Sequence, residues 1–184
     1  MKLLVVVDMQ NDFIDGALGT KEAQKIVDSV VKKIRVYQEK GWRIVFTADT
    51  HDESYLGTQE GRKLPVAHCV RGTKGWEICP QIQEAVDLKA CKVYEKAAFG
   101  SEEYALDWKK GFYSDVEEVE LAGLCTDICV ISNAMLTKAF APEVRVCVDA
   151  SCCAGVTPQS HENALKAMEM CQIEIIRTVS ENLS

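Results

Sequence analysis

EEVELAGLCTDICV, residues Glu117–Val130, reads as three local structures in succession. An acidic-apolar run ending near Leu121 has the pattern of a buried strand, Gly123 marks a tight turn, and the residues beyond it begin a helix. Thr126 is a candidate N-cap. That places Cys129 in the first turn, among backbone N–H groups that have no intrahelical partners. The positive end of the macrodipole favours a thiolate there. A cysteine in such a setting also serves simply as a small core residue, so the other reactive positions must decide between the two.

Outward from this stretch, strands and helices alternate. Leu3–Val7 is continuously apolar and β-branched, as in a strand buried on both faces, and it stops at Asp8 before the loop MQNDFIDGALG. Ala23, Ile26, Val27, Val30, Val31, Ile34 and Tyr37 then recur at helical spacing, with Thr20 as N-cap and Gly41 as stop. Trp42–Thr47 predicts a second strand, leading to Asp49. Residues 49–79 keep no period and predict a long functional loop, packed through Leu64, Val66, Trp76 and Ile78. A short helix over Ile82–Val86 precedes a third strand, Ala90–Tyr94, which ends near Lys96. Tyr104, Ala105 and Trp108 suggest another short helix. Val116–Leu121 is the fourth strand, about Asp127–Phe140 a helix, and Val144–Val148 the fifth strand. Thr157, with Pro158 at the first helical position, opens a last helix before the strand Ile173–Ile176. Ser180–Ser184 reads as a loose tail.

This alternation predicts one α/β domain over residues 1–184, a doubly wound, mostly parallel sheet with helices on both faces. Ligands of such sheets bind beyond the carboxyl ends of the strands. Asp8, Asp49 and Lys96 each end a predicted strand and Cys129 follows one, so the four share one rim.

Composition excludes several classes. Net charge is −7, with 21 basic against 28 acidic residues and no Lys/Arg-rich run, which argues against a nucleic-acid partner. No apolar run approaches the ~20 residues that span a bilayer. The opening MKLLVVVD has too short an apolar run for a signal peptide. Nine scattered cysteines without a secretory signal suggest a reducing, cytoplasmic setting, and their spacings do not match structural zinc sites.

Two constellations carry chemistry. An ionised thiol is a strong nucleophile at neutral pH; Lys96 beside Cys129 would lower its pKa, and Asp8 would take the thiol proton and pass it to a leaving amine. N–H groups near Cys125 and Cys129 would hold an oxyanion. The plainer alternative for Asp8 and Lys96 is a rim salt bridge. The second constellation is Asp49-x-His51 with His68 downstream, three ligands that leave positions open as in a catalytic metal site. Its alternative is loop side chains that satisfy backbone groups. The third histidine, His161, is expected at the surface of the last helix.

The motifs VVVDMQNDF (Val5–Phe13), DTH (Asp49–His51), HCVRGTKGWE (His68–Glu77), EKAAF (Glu95–Phe99) and GLCTDICV (Gly123–Val130) occur in one order along nearly the whole chain. In this the chain resembles the isochorismatase-like cysteine hydrolase superfamily, specifically its nicotinamidase/pyrazinamidase branch. The resemblance implies a triad of Asp8, Lys96 and Cys129 and a cis peptide between Leu124 and Cys125, with Cys125 and Cys129 N–H groups forming the oxyanion hole. It implies a divalent metal, zinc first with iron or manganese as alternatives, on Asp49, His51 and His68. Glu60 is the closest candidate for a fourth ligand, with Gly57 near the position where others carry histidine. The metal would orient a pyridine ring against Phe13 and Leu124, and the deamidation of nicotinamide would belong to NAD salvage. A small-molecule amide is the expected partner, and relatives commonly form homo-oligomers. Two departures bear on the substrate: Pro65 stands where many nicotinamidases carry a ring-stacking tryptophan, and the segment after Lys96 is short. The alternatives are an amidohydrolase of ureido or carbamoyl compounds, or a non-catalytic redox or metal-binding protein using Cys125, Cys129, Cys152 and Cys153. Cys129 counts against an isochorismatase, which does not need it.

Overall fold

A computed structural model describes residues 1–177. Its elements in chain order are β1 (Lys2–Val7), α1 (Asn11–Ile14), α2 (Lys21–Glu39), β2 (Arg43–Asp49), α3 (Gln59–Lys63), α4 (Pro80–Ala85) and β3 (Lys92–Lys96). Then follow α5 (Glu102–Lys109), β4 (Glu118–Leu124), a π-helical turn (Thr126–Val130), α6 (Ile131–Phe140), β5 (Arg145–Ala154), α7 (Pro158–Met170) and β6 (Glu174–Ile176). The strands form one sheet in the order β3-β2-β1-β4-β5-β6, parallel throughout. This is the doubly wound arrangement the sequence predicts. Strand order reverses between β1 and β4, and the crevice at that switch point is where such sheets bind ligands.

β1 shows how the two layers share one strand. Successive side chains of a strand point to opposite faces. Leu4 and Val6 accordingly pack with Val30, Ile34 and Ile82 on the α2–α4 side. Leu3, Val5 and Val7 pack with Tyr104, Val130 and Leu165 on the α5–α7 side. Helix α2 presents Ala23, Ile26, Val27, Val30, Ile34 and Tyr37 inward, and Thr20 caps it by accepting from Ala23 N–H at 3.0 Å. Gly41 (φ +65°) follows its end. Thr157 caps α7 in a capping box with Ser160.

Beneath α2 lies a buried ionic cluster. Lys33 pairs with Glu120 on β4 and with Asp149 on β5 at 2.8 Å, while Tyr37 donates to Glu120 at 2.7 Å. Each buried carboxylate thus has a charged or hydroxyl partner, as burial requires.

Boundaries shift where polar residues lie inside strands. β2 runs on to Asp49, β3 covers Lys92–Lys96, and β5 extends from Arg145 through Cys152 and Cys153 to Ala154, well past the predicted Val148. Gly123 is not a turn: it lies inside β4, opposite Val7. The 49–79 loop contains α3, so it is only partly irregular. The helix predicted from Asp127 begins as the π-helical turn, whose N-cap is Cys125 and not Thr126. The predicted Ser180–Ser184 tail lies outside the described residues. All nine cysteines are free thiols, and no described helix is long and apolar enough to cross a membrane.

Candidate active site

Four strand ends converge at the switch point. Asp8 follows β1 with φ +46°, Asp49 ends β2, Lys96 ends β3, and Cys129 lies in the turn after β4. All four are buried. Lys96 Nζ stands 2.7 Å from Asp8 Oδ2, 3.4 Å from Cys129 Sγ and 3.3 Å from Asp49 Oδ1. Thr47 donates to Asp8 Oδ1 at 2.6 Å, which fixes the carboxyl. The peptide between Leu124 and Cys125 is cis.

Burial sets the charges here, and it corrects one expectation. The helix end and Lys96 were expected to favour a Cys129 thiolate. Desolvation is the largest influence on the thiol; with the Asp8 charge added, it outweighs Lys96 and pushes the pKa well above the ordinary value. Burial likewise pushes Asp8 up against the pull of Lys96. Lys96 itself stays charged: burial would lower its pKa, but Asp8, Cys129 and Asp49 together hold it higher than an ordinary lysine. Burial thus favours the protonated thiol, and the Asp8 carboxyl shares the Lys96 ammonium with it.

The metal candidates adjoin this cluster through Asp49. Its Oδ2 lies 2.9 Å from His51 Nε2 and 3.3 Å from His68 Nε2, and one ligand atom from each residue lies within 4.8 Å of the others. Tetrahedral ligands at ~2.0–2.1 Å from a zinc ion stand about 3.3 Å apart, so the spacing suits one ion. His51 Nε2 is buried and, although 2.9 Å from Asp49 Oδ2, makes no well-directed hydrogen bond, a gap that a bound cation would fill. His68 Nδ1 lies 2.8 Å from Val66 O, which fixes the tautomer that leaves Nε2 free to ligate. Burial would raise the Asp49 pKa, but the two histidines and Lys96 hold it well below the usual carboxylate range, as a ligand needs. Glu60 sits further out, 4.0 Å from His51 Nε2.

Phe13, Leu124, Cys125 and Cys129 line a cavity of about 220 Å³ with Asp49, Glu60 and His68. Pro65 is not among its lining residues. Leu64, Phe99 and Val156 are.

Several supporting residues escaped the sequence reading. Gln10 is fully buried; its amide donates to Asp49 O (2.8 Å) and Trp76 O (2.7 Å) and accepts from Asp49 N–H at 2.7 Å. Asp12 accepts from Cys69 N–H at 2.8 Å, next to His68. Tyr55 packs against the rings of both His51 and His68, at 4.5 and 4.9 Å. The only hint was that the loop after β1 is crowded with Gln, Asn and Asp. Gln10→Ala is expected to weaken zinc binding about 10- to 100-fold, the usual loss when a ligand's outer support goes. Competition with a chelating dye measures it, with thermal melting recorded alongside.

His161 is the other correction. It is not a surface residue: its side chain is 15% exposed, with Nδ1 2.7 Å from the fully buried Thr126 hydroxyl.

A parallel sheet whose switch point gathers a thiol, a carboxyl and a buried cation is that of a hydrolase of doubly wound α/β architecture. More particularly, the chain belongs to the isochorismatase domain family, whose model matches residues 2–180. It is 29% identical over 192 residues to the nicotinamidase/pyrazinamidase of Mycobacterium tuberculosis, covering 96% of this chain and 98% of that protein. The crystal structure of pyrazinamidase of Pyrococcus horikoshii in complex with zinc is similar, with 31% identity, a TM-score of 0.80, and coverage of 96% and 98%. So is N-carbamoylsarcosine amidase from Thermoplasma acidophilum, with 26% identity, a TM-score of 0.77, and 98% of both chains covered.

Proposed function

We propose that this protein is a metal-assisted cysteine amidohydrolase that converts a small uncharged carboxamide, nicotinamide first, to the carboxylate and ammonia. The observation that carries the proposal is the placement of Lys96, between Asp8 at 2.7 Å and Cys129 at 3.4 Å, beside the Asp49–His51–His68 group. Asp8 accepts the Cys129 proton as sulfur attacks the amide carbon. N–H groups of Cys125, the N-cap of the turn, and of Cys129 within it stabilise the negative oxygen. The C–N bond breaks, Asp8 returns the proton to nitrogen, and ammonia leaves a thioester on Cys129. Water, deprotonated by Asp8, then cleaves the thioester, yielding the acid and the free thiol. Lys96 stays protonated throughout and offsets the charge that Asp8 and the sulfur exchange. A divalent metal on Asp49, His51 and His68 would supply a Lewis-acidic anchor for a ring nitrogen.

A second reading is favoured by the likeness to N-carbamoylsarcosine amidase: a ureido or carbamoyl acid as substrate. The cavity weighs against it. Its lining includes the acids Asp49 and Glu60 and, among the described residues, no arginine or lysine to pair with a substrate carboxylate. A thiol sensor fits less well. Burial raises the pKa of Cys125, Cys129 and Cys152 alike, and what sets Cys129 apart is the Lys96 ammonium 3.4 Å from its sulfur. Ammonia release from nicotinamide, pyrazinamide and N-carbamoylsarcosine by zinc-loaded protein tests the proposal. Turnover of the two ring amides supports it. Turnover of the carbamoyl compound alone selects the second reading, and turnover of none removes both.

A further inference from the structure

We infer that His161 is a positioning residue for the reactive turn, holding Thr126, and through it Cys129, in register with Lys96. The inference rests on the reading of Cys129 as nucleophile. Thr126 opens the five-residue π-helical turn that contains Cys129, and it is wholly buried. The turn has no side-chain N-cap of its own. From its far side Asn133 Nδ2 holds Cys129 O at 2.8 Å, and Ser132 holds Ile128 O at 2.6 Å. At its near side the bonds outward are the 2.7 Å contact of Thr126 with His161 and longer ones, 3.2 and 3.3 Å, from the exposed Val156 N–H to the half-buried Asp127 carboxylate. Among the described residues, His161 therefore supplies the one short side-chain anchor on the side nearest the cis peptide.

The position of His161 fits that task. It belongs to the first turns of α7, which press so closely on Gly155 that a Cβ there would meet His161 N and Cα at 2.8 and 2.9 Å. Gly155 and Val156 are part of the cavity wall. Helix, wall and reactive turn thus meet at one residue, His161. Burial, helped by Arg177, pulls the His161 pKa below the ordinary value, although Glu162 and Asp127 act the other way. That favours the uncharged ring, which makes its hydrogen bond to Thr126 without bringing a second cation to the turn.

Two substitutions separate positioning from simple packing. His161→Phe keeps a ring and removes the bond; His161→Asn keeps a polar group where Nδ1 stood. The readouts are kcat and KM on the best amide of the panel, zinc affinity, and the rate at which iodoacetamide alkylates Cys129, located by mass spectrometry. His161→Phe is expected to lower kcat about 10- to 100-fold, the scale on which a displaced reacting group loses rate, and to slow alkylation. KM and zinc affinity stay close to wild type. His161→Asn recovers most of the loss. Thr126→Val, which removes the other partner of the bond, gives the same loss, and adds none in the His161→Phe background. Wild-type kcat and alkylation in both His161→Phe and Thr126→Val would overturn the inference, as would an equal defect in His161→Asn and His161→Phe. If wild-type protein is not alkylated at Cys129 at all, the proposed function itself fails. If it is, and the variants match it, only the role of His161 fails.

Discussion

Cys129→Ala removes hydrolysis by at least about ten-thousandfold, the scale of loss when a nucleophile is deleted, while zinc binding stays at the wild-type level. The two effects separate because the sulfur touches Lys96 and is not among the atoms grouped around Asp49, His51 and His68. Alanine leaves Asp8 and Lys96 paired at 2.7 Å, so no buried charge is orphaned and the protein stays folded. Ammonia release and zinc titration on the same preparation check both halves. Residual turnover within tenfold of wild type would show that water, not sulfur, attacks the amide.

Asp49→Ala has the second large effect, because one carboxylate serves both halves of the site. Its Oδ2 faces the two histidines and its Oδ1 faces Lys96. Removing it is expected to weaken zinc by more than the ~10- to 100-fold typical of an outer supporting group, and also to change the alkylation rate of Cys129. His51→Ala provides the contrast: it removes a ligand without touching Lys96, so zinc affinity falls while Cys129 alkylation stays near the wild-type rate. If alkylation in Asp49→Ala also matches wild type, the two halves are chemically independent.

What could be read from residue pattern alone was whatever the chain repeats or punctuates. The buried strand Leu3–Val7, the helical spacing from Ala23 to Tyr37, and the caps at Thr20 and Thr157 are local signals, and each element stands where its pattern placed it. β5 was cut short because Asp149 and Ser151 look like a strand end; they are held inside by Lys33 and by the Ser151–Asp149 bonds. The candidate residues Asp8, Asp49, Lys96 and Cys129 could be placed on one rim because topology sends all strand ends to the same edge. The thiol's protonation state could not be read, since desolvation depends on packing from distant segments. Gln10 and His161 were missed for a related reason. Their partners lie 39 and 66 positions away for Gln10 and 35 for His161, and a lone amide or imidazole carries no local mark of such a partner.

The close approach of β1 and β4 leaves a lasting constraint on how this chain can change. At Gly123 (φ +122°) an added Cβ would stand 2.1 Å from Val7 O, inside the carbonyl of the residue that precedes Asp8. Even the smallest substitution must prise the two central strands apart, and Asp8 would move with them. Helix surfaces and outer loops remain open to mutational drift, but a single missing methyl group at the middle of the sheet is not free to be replaced.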